Sequence, residues 1–420
     1  MISKLRKGES ILNEKTLLVA VDIGKFINTA YCQLPDGSEI PVFSFVNYGQ
    51  GIRSFWNRIE TLRHQSDLPE IAVGFEPTGC YAEPLLHFLR DKVRVRAYYV
   101  NPMHTRKLKE LSDNSPHKSD EKDPRVIADI LRLGHVLSAV VPQGVRAELR
   151  QLSLARQRVV ERRKVLSCQL GDLVFRIFPE FSHIMKGVMS KSSRFLLADY
   201  PLPENIVELG VPELAAVLHK VSRGRLKLQR AQALYNAAQI SAGIKEGVAG
   251  IVLEIRSVLK HIALCNEDIS LFEKQIKALL EEVPESRYIQ SIKGIGPVIA
   301  AGLIGEVADF NSYRHSAELH KLAGLDLYEI SSGKHQGQRH ISKRGRSFFR
   351  KLLYMAALST IRKGGAMHEV YQRHLKKGMP KPKALVAVMR KLLSVIFAMV
   401  RDQNEFIENY QVKRKRKEAA

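Results

Sequence analysis

Four carboxylates near the start of the chain have the types and settings that could hold a metal ion. Asp22 ends the β-branched run "TLLVAVD" just before Gly24, and Glu76 ends "EIAVGFE" and is followed by "PTG". Asp120 and Asp123 lie three apart in "HKSDEKDPRVIADIL", a spacing that puts both on one face of a helix. Carboxylates gathered from strand ends and a helix start repel, and like charges held close cannot all stay ionised. Mg2+ resolves the conflict, because it takes hard oxygen ligands and binds through one or two carboxylates plus phosphate oxygens. Two such ions about 4 Å apart stabilise the attacking and leaving oxygens of a phosphodiester cleavage. A structural account competes, since the "SDEKDP" run suits the first turn of a helix, where Ser and acids are favoured. Asp120 and Asp123 alone read as such a cap. Asp22 and Glu76 at strand ends shift the reading towards a site, with Glu121 as a solvated neighbour.

The sequence around these carboxylates predicts alternating strands and helices. "TLLVAVDIGKFINTAYCQL" predicts a buried strand, a turn at Gly24 and a second strand, and "PDG" (Pro35 to Gly37) predicts a hairpin turn. "PVFSFVNY" reads as a third strand, "GIRSFWNRIETLRHQ" as a helix, "EIAVGFEPTGCY" as a strand, "YAEPLLHFLRD" as a helix and "VRVRAYYVNP" as a strand. Strands alternating with helices imply an α/β layer domain. From Val145 the texture changes to Leu and Val at spacings of three and four among many charges, which predicts a long amphipathic helix, a candidate coiled coil. A second such stretch, "IVLEIRSVLKHIALCNEDISLFEKQIKALLEEV", could return antiparallel to it. The apolar stripes over 145–178 and 251–283 each need a partner face. Pairing within the chain and pairing between chains are both open, and an intersubunit contact is the expectation.

The chain is strongly basic, with 66 Lys+Arg against 43 Asp+Glu over 420 residues and a formal net charge of +23. A charge of this size points first to nucleic acid and less well to an anionic membrane surface. No apolar run is long enough to span a bilayer, and "MISKLRKGESILNEK" lacks the apolar core of a signal peptide. Cys32, Cys80, Cys168 and Cys265 are far apart, which argues against a zinc site or a disulfide framework and fits a reducing cytosol.

Two later stretches suit phosphate contact. "IKGIGPVIAAGLIGEVADF" sets Lys293, Gly294 and Gly296 in a glycine hairpin between apolar segments, a helix-hairpin-helix-like arrangement whose backbone N–H groups could approach a phosphate. The structural alternative is a simple glycine turn. "LAGLDLYEISSGKHQGQRHISKRGRSFFRKLL" places Ser332 before Gly333, followed by Lys334, Arg339, Lys343, Arg344, Arg346 and Arg350. A hydroxyl among cations suits attack on a phosphodiester, because cations stabilise the charge of the transition state. From the chemistry alone the preferred reading is a basic loop whose serines only hydrogen-bond.

"VAVDIGK", "GFEPTG", "VNP" and "KSDEKDPRVIADIL" together resemble the DEDD transposases of bacterial insertion sequences, the IS one-ten family. The resemblance implies an N-terminal domain like the Holliday-junction resolvase RuvC, with a metal-binding tetrad at Asp22, Glu76, Asp120 and Asp123. "AGL", "SG" and "ISK" with the basic run after them resemble the family's C-terminal domain, where the Ser before Gly is the nucleophile that joins covalently to DNA. Counted without a gap, that position is Ser332, with Ser331 as the neighbour if the register shifts. The likeness covers roughly 17 to 140 and 288 to 400, while the middle is only generically similar and longer over 180 to 245 than compact members need.

The expected fold class is therefore an α/β N-terminal RNase H/RuvC-like domain, a helical coiled-coil middle and a mostly α-helical C-terminal transposase domain. The expected segments are a basic N-terminal extension over 1–15, the carboxylate domain over 16–142, the helical region over 143–287, the serine domain over 288–405 and a basic tail over 406–420. The resemblance implies a bacterial cytoplasmic recombinase that uses Mg2+, acts on donor and target DNA, takes a bridge RNA as guide and assembles from dimers into a tetramer. A RuvC-like nuclease with no covalent step and a nonenzymatic nucleic-acid-binding protein are the alternatives.

Overall fold

The computed structural model of the chain describes residues 15–77, 79–113, 122–134, 136–329, 337 and 339–408. The N-terminal extension up to 14, the tail from 409, Asp120, Glu121, Ser331, Ser332 and Lys334 lie outside them. The chain forms two compact units: one of Met1–Ala147, Ser291–Ile295 and Glu306–Ala420, the other of Glu148–Gln290 and Gly296–Gly305.

The first unit begins with a mixed sheet. Its elements run β1 (Thr16–Asp22), β2 (Ile27–Gln33), β3 (Glu39–Val46), α1 (Gly49–Gln65), β4 (Glu70–Phe75), α2 (Glu83–Arg90), β5 (Val95–Val100), α3 (Pro102–Asp113), α4 (Lys122–Arg132) and β6 (Val136–Ser138). The strand order is β3-β2-β1-β4-β5-β6. β1 pairs antiparallel with β2 and parallel with β4, and β5 pairs parallel with β4 and antiparallel with β6. This is the mixed α/β layer that the strand pattern predicts, and it is consistent with an RNase H-like fold.

Side-chain alternation explains why β1 sits in the middle. Leu17, Val19 and Val21 face one side and pack with Phe55 and Ile59 of α1 and Leu85 and Leu89 of α2. Leu18 and Ala20 face the other side and pack with Val126, Ile127, Ile130 and Leu131 of α4. A strand buried on both faces reads as a continuous apolar run, as "LLVAV" does. Each fully buried Leu, Ile or Phe here contributes about 1.5–3 kcal/mol.

The second unit is helical. It comprises α5 (Gly144–Ile177, counted from its start in the first unit), α6 (Phe181–Met185), α7 (Lys191–Asp199), α8 (Pro203–Ser222), α9 (Leu228–Gln239), α10 (Val248–Glu281), α11 (Pro284–Gln290) and most of α12 (Pro297–Val307). The buried positions of α10 are Ile251, Ile255, Val258, Ile262, Cys265, Ile269, Ile276 and Leu280, at alternating spacings of four and three for most of its length. α5 and α10 run antiparallel within the chain. Arg156 pairs with Glu273, Arg163 Nη1 donates to Asn266 Oδ1 at 2.7 Å, and Gln169 Nε2 donates to Glu254 Oε1 at 2.8 Å. The stripes expected to seek a second copy thus meet each other first, because two helices of 34 residues each supply matching lengths of apolar face. The segment between them is a folded helical cluster with its own core. Leu196, Leu197, Ile206, Leu214, Leu218 and Leu234 pack against the C-terminal half of α5 and the N-terminal half of α10.

The first unit ends with α13 (Ser316–Leu322), the short strands β7 (Leu327–Tyr328) and β8 (His340–Ile341), then α14 (Ser347–Thr360), α15 (His368–Lys376) and α16 (Lys381–Arg401). α16 buries Leu385, Val388, Leu392, Leu393, Ile396 and Phe397 and packs against the other three helices.

Candidate active site

Asp22 and Glu76 end neighbouring parallel strands in matching register. Val21 lies opposite Phe75, so the residues that follow, Asp22 and Glu76, leave the sheet side by side. Both are half-buried. The loops beyond them are tied together by a residue that motif reading did not single out. Asn47 Nδ2 donates to the carbonyl oxygens of Gly24 and Tyr81, each at 3.0 Å, and its backbone N–H donates to Phe26 O at 2.8 Å. The fully buried Asn28 accepts from Gly24 N–H through Oδ1 at 3.1 Å. A Cβ on Gly24 would stand 2.1 Å from Ile27 O, so only glycine fits this turn. Asn28 and Asn47 sit at the start and just past the end of strands, and nothing in their spacing marks them; their role is tertiary.

Asp123 lies in the first turn of α4, where the helix dipole favours a negative charge. It is 7% exposed, and Lys109 Nζ of α3 stands 2.5 Å from its Oδ1, off the direction of a hydrogen bond. That oxygen is buried and accepts no hydrogen bond. Carboxylate oxygens are hard donors of the kind Mg2+ takes, and a buried one that is balanced by the Lys109 ammonium without a directed hydrogen bond fits that role. Among the described residues no three of His, Cys, Asp and Glu come close enough together to hold an ion. Asp120, the tetrad's remaining member, lies outside them.

In the C-terminal part, β7 and β8 pair antiparallel, with Leu327 opposite Ile341 and Tyr328 opposite His340, and so clamp both ends of the segment that carries Ser331, Ser332 and Lys334. These three residues are themselves outside the described set. Arg339 Nε donates to Glu329 Oε2 at 2.9 Å across the same clamp. Arg346 Nη1 donates to Glu306 O at 2.5 Å and lies 3.6 Å from the buried Glu306 carboxylate. Arg350 Nη1 donates to Ala323 O at 2.9 Å, and burial lowers its pKa. Arg346 and Arg350 are therefore engaged with Glu306 and Ala323, whereas Lys343 and Arg344 are exposed. Gly294 has φ +110° and presses on the backbone of α14, where an added Cβ would stand 3.1 Å from Ser359 O. Packing explains Gly294. Around Gly296 the space is open, and Lys293 is exposed.

Residues 19–179 match the family described as DEDD_Tnp_IS110, Transposase, and residues 286–372 match the Transposase IS116/IS110/IS902 family. Together these two stretches span more than half of the chain, and they contain the strand-end carboxylates, α4 and the serine loop. The chain belongs to the IS110 family of insertion-sequence transposases. It is 23% identical over 389 residues to the IS110 43.6 kDa protein of Streptomyces coelicolor, covering 92% of this chain and 94% of that one. It is 26% identical over 294 residues to the IS116 44.8 kDa protein of Streptomyces clavuligerus, covering 69% and 72%. It is 28% identical over 147 residues to a pilin gene-inverting protein of Moraxella lacunata, covering 34% and 46%. DEDD transposases are in general metal-dependent enzymes that act on DNA. No helix among the described residues of this transposase is long and apolar enough to cross a membrane.

Proposed function

We propose that this transposase cuts and rejoins DNA through a phosphoserine intermediate at Ser332, with Mg2+ held by Asp22, Glu76, Asp120 and Asp123. The observation that carries the reading is the register that ends β1 and β4 in adjacent carboxylates, in a chain of net charge +23. When bound, Mg2+ would supply positive charge to polarise the scissile phosphate. The chain's own residues do the rest. Ser332 Oγ gives up its proton to a base in the site and forms an O–P bond, while the bond from phosphorus to one deoxyribose oxygen breaks and that oxygen takes up a proton. Attack by another strand's hydroxyl reverses the step, restores a phosphodiester and frees the serine. A relative named as gene-inverting supports rejoining, since an inverted segment has to be religated.

In this reading the segment 16–142 is the carboxylate domain, 288–405 the serine domain, and 143–287 a coiled-coil spacer between them. Lys293, Gly296, Lys334, Arg339, Lys343 and Arg344 position nucleic acid through phosphates and read no bases. A bridge RNA guides the protein to donor and target DNA, held through its shape and phosphates. Leu253, Leu264 and Leu271 recur at spacings of 11 and 7, which puts them on one side of α10, and all three are exposed, a face suited to a second copy in a dimer and tetramer. The test is a denaturing gel of protein incubated with Mg2+, RNA and DNA. Protein that stays attached to a DNA end supports the recombinase, and cut DNA without attached protein means that water is the nucleophile.

A further inference from the structure

The end of the sheet that carries Asp22 and Glu76 also gathers aromatic rings in solvent. Phe26 is 71% exposed, Tyr48 58% and Tyr81 40%. The rings come from three separate segments: the β1–β2 turn, the β3–α1 junction and the loop after β4. Asn47 joins them. Its backbone N–H bonds Phe26 O, its side chain bonds Tyr81 O, and Tyr48 is the next residue. Lys25 Nζ stands 5.0 Å from the Phe26 ring centroid and adds a cation to the group. None of this is needed for the sheet's core, which Phe45, Phe55 and Phe75 fill on the inner side.

Large exposed apolar groups clustered beside a site mark an interaction surface. Aromatic rings next to a lysine match unpaired nucleobases, because every base has a π face, and stacking on Phe or Tyr tolerates any sequence. A fully paired duplex keeps its base faces inside the stack and offers none of them. We infer that Phe26, Tyr48 and Tyr81 form a stacking platform for unpaired bases of the DNA strand that enters the carboxylate site. The inference rests on the proposal that DNA is brought to Asp22 and Glu76. DNA is the occupant favoured over RNA because the rings flank the carboxylates that would act on the strand being cut. The base stacks, Lys25 meets a neighbouring phosphate, and Asn47 holds the two loops at a fixed separation.

The experiment uses a forked DNA carrying 2-aminopurine in its unpaired arm, whose fluorescence is quenched on stacking, with a fully paired duplex as control. The full-length protein is expected to quench the probe. Removing rings one at a time (Phe26→Ala, Tyr48→Ala, Tyr81→Ala) should each weaken forked-DNA binding roughly tenfold, leave duplex binding unchanged and remove quenching in combination. Tyr48→Phe and Tyr81→Phe should restore both readouts, because the ring and not the hydroxyl stacks. Wild-type quenching by the triple alanine variant would overturn the inference. So would a loss confined to structured RNA, or a shift from dimer to monomer with quenching intact. Quenching without a covalent protein–DNA adduct leaves the platform standing and sinks the serine mechanism, and an adduct without quenching does the reverse.

Discussion

Lys109 and Asp123 form an ion pair at 2.5 Å between α3 and the first turn of α4, with Asp123 nearly buried and Lys109 about a third exposed. The chain thus supplies its own counter-charge to a carboxylate that is expected to bind metal. Lys109→Met leaves that carboxylate without a cation. Because Lys109 is partly in water, the loss should be on the order of 1–2 kcal/mol, well short of a fully buried pair. The metal-free variant should melt earlier than wild type. Added Mg2+ or Mn2+ should raise its melting temperature more than that of wild type, since the ion no longer competes with an ammonium group. Equal metal-induced shifts in the two proteins would mean that Lys109 and the ion do not share Asp123.

Asp22→Asn and Asp123→Asn keep the shape of the side chain and remove its charge. Each should lower DNA cleavage by at least about 100-fold, taking metal-site losses as the guide, while the circular dichroism spectrum and RNA and DNA binding stay near wild type. Full cleavage by either variant removes that residue from the metal site.

Binding should be dominated by phosphate neutralisation. A groove that contacts about 6–10 phosphates loses roughly 10³–10⁵ in affinity between about 50 and 200 mM salt. Titrations of DNA and of RNA at several salt concentrations check this. A flat response would mean that the charge of +23 serves some other purpose.

His320 gives the C-terminal helices an acid-sensitive contact. It is 8% exposed, its Nε2 lies 3.0 Å from Arg390 O, and burial lowers its pKa below the ordinary 6.5. The unfolded chain then takes up a proton that the folded one refuses, so stability present above about pH 6.5 falls as the solution is acidified through the lowered pKa. Asp326, whose pKa burial raises, acts in the opposite sense, over a window that runs upward from the ordinary carboxylate range. Melting temperature should therefore drop between about pH 7.5 and pH 5.5, and His320→Gln should flatten that drop. An unchanged slope in the variant would place the acid sensitivity elsewhere.

The strands were readable because β1 and β4 are buried apolar runs, with a carboxylate at the end of the first (Asp22) and just past the end of the second (Glu76). α3 was missed although it carried a local signal: Pro102 in its first turn, and Asn101 Oδ1 accepting from Met103 N–H at 2.9 Å. Its polar composition hid the period. β6 and the β7–β8 clamp have three and two residues per strand and exist only through their partners, which no local pattern encodes. An apolar stripe states that a helix needs a partner without saying whose, and α5 and α10 settle that question within the chain through Arg156 and Glu273. The Asn47 bridge and the Lys109–Asp123 pair join residues distant in sequence, so they became visible only with the fold.

In the proposed reaction a serine, and not water, attacks the DNA. Ser332→Ala should stop cleavage and rejoining while RNA and DNA binding stay near normal, because one oxygen is lost, and Ser331→Ala should be much milder. Ser332→Cys should keep at most a trace of activity, since a thiolate is nucleophilic but differs in bond length and metal preference. The most direct measurement is mass spectrometry of the trapped protein–DNA product after nuclease digestion. A nucleotide on the peptide that spans Ser332 is the predicted result. Cleavage by Ser332→Ala at the wild-type rate with no adduct on any peptide would contradict the account and make the protein a hydrolytic nuclease.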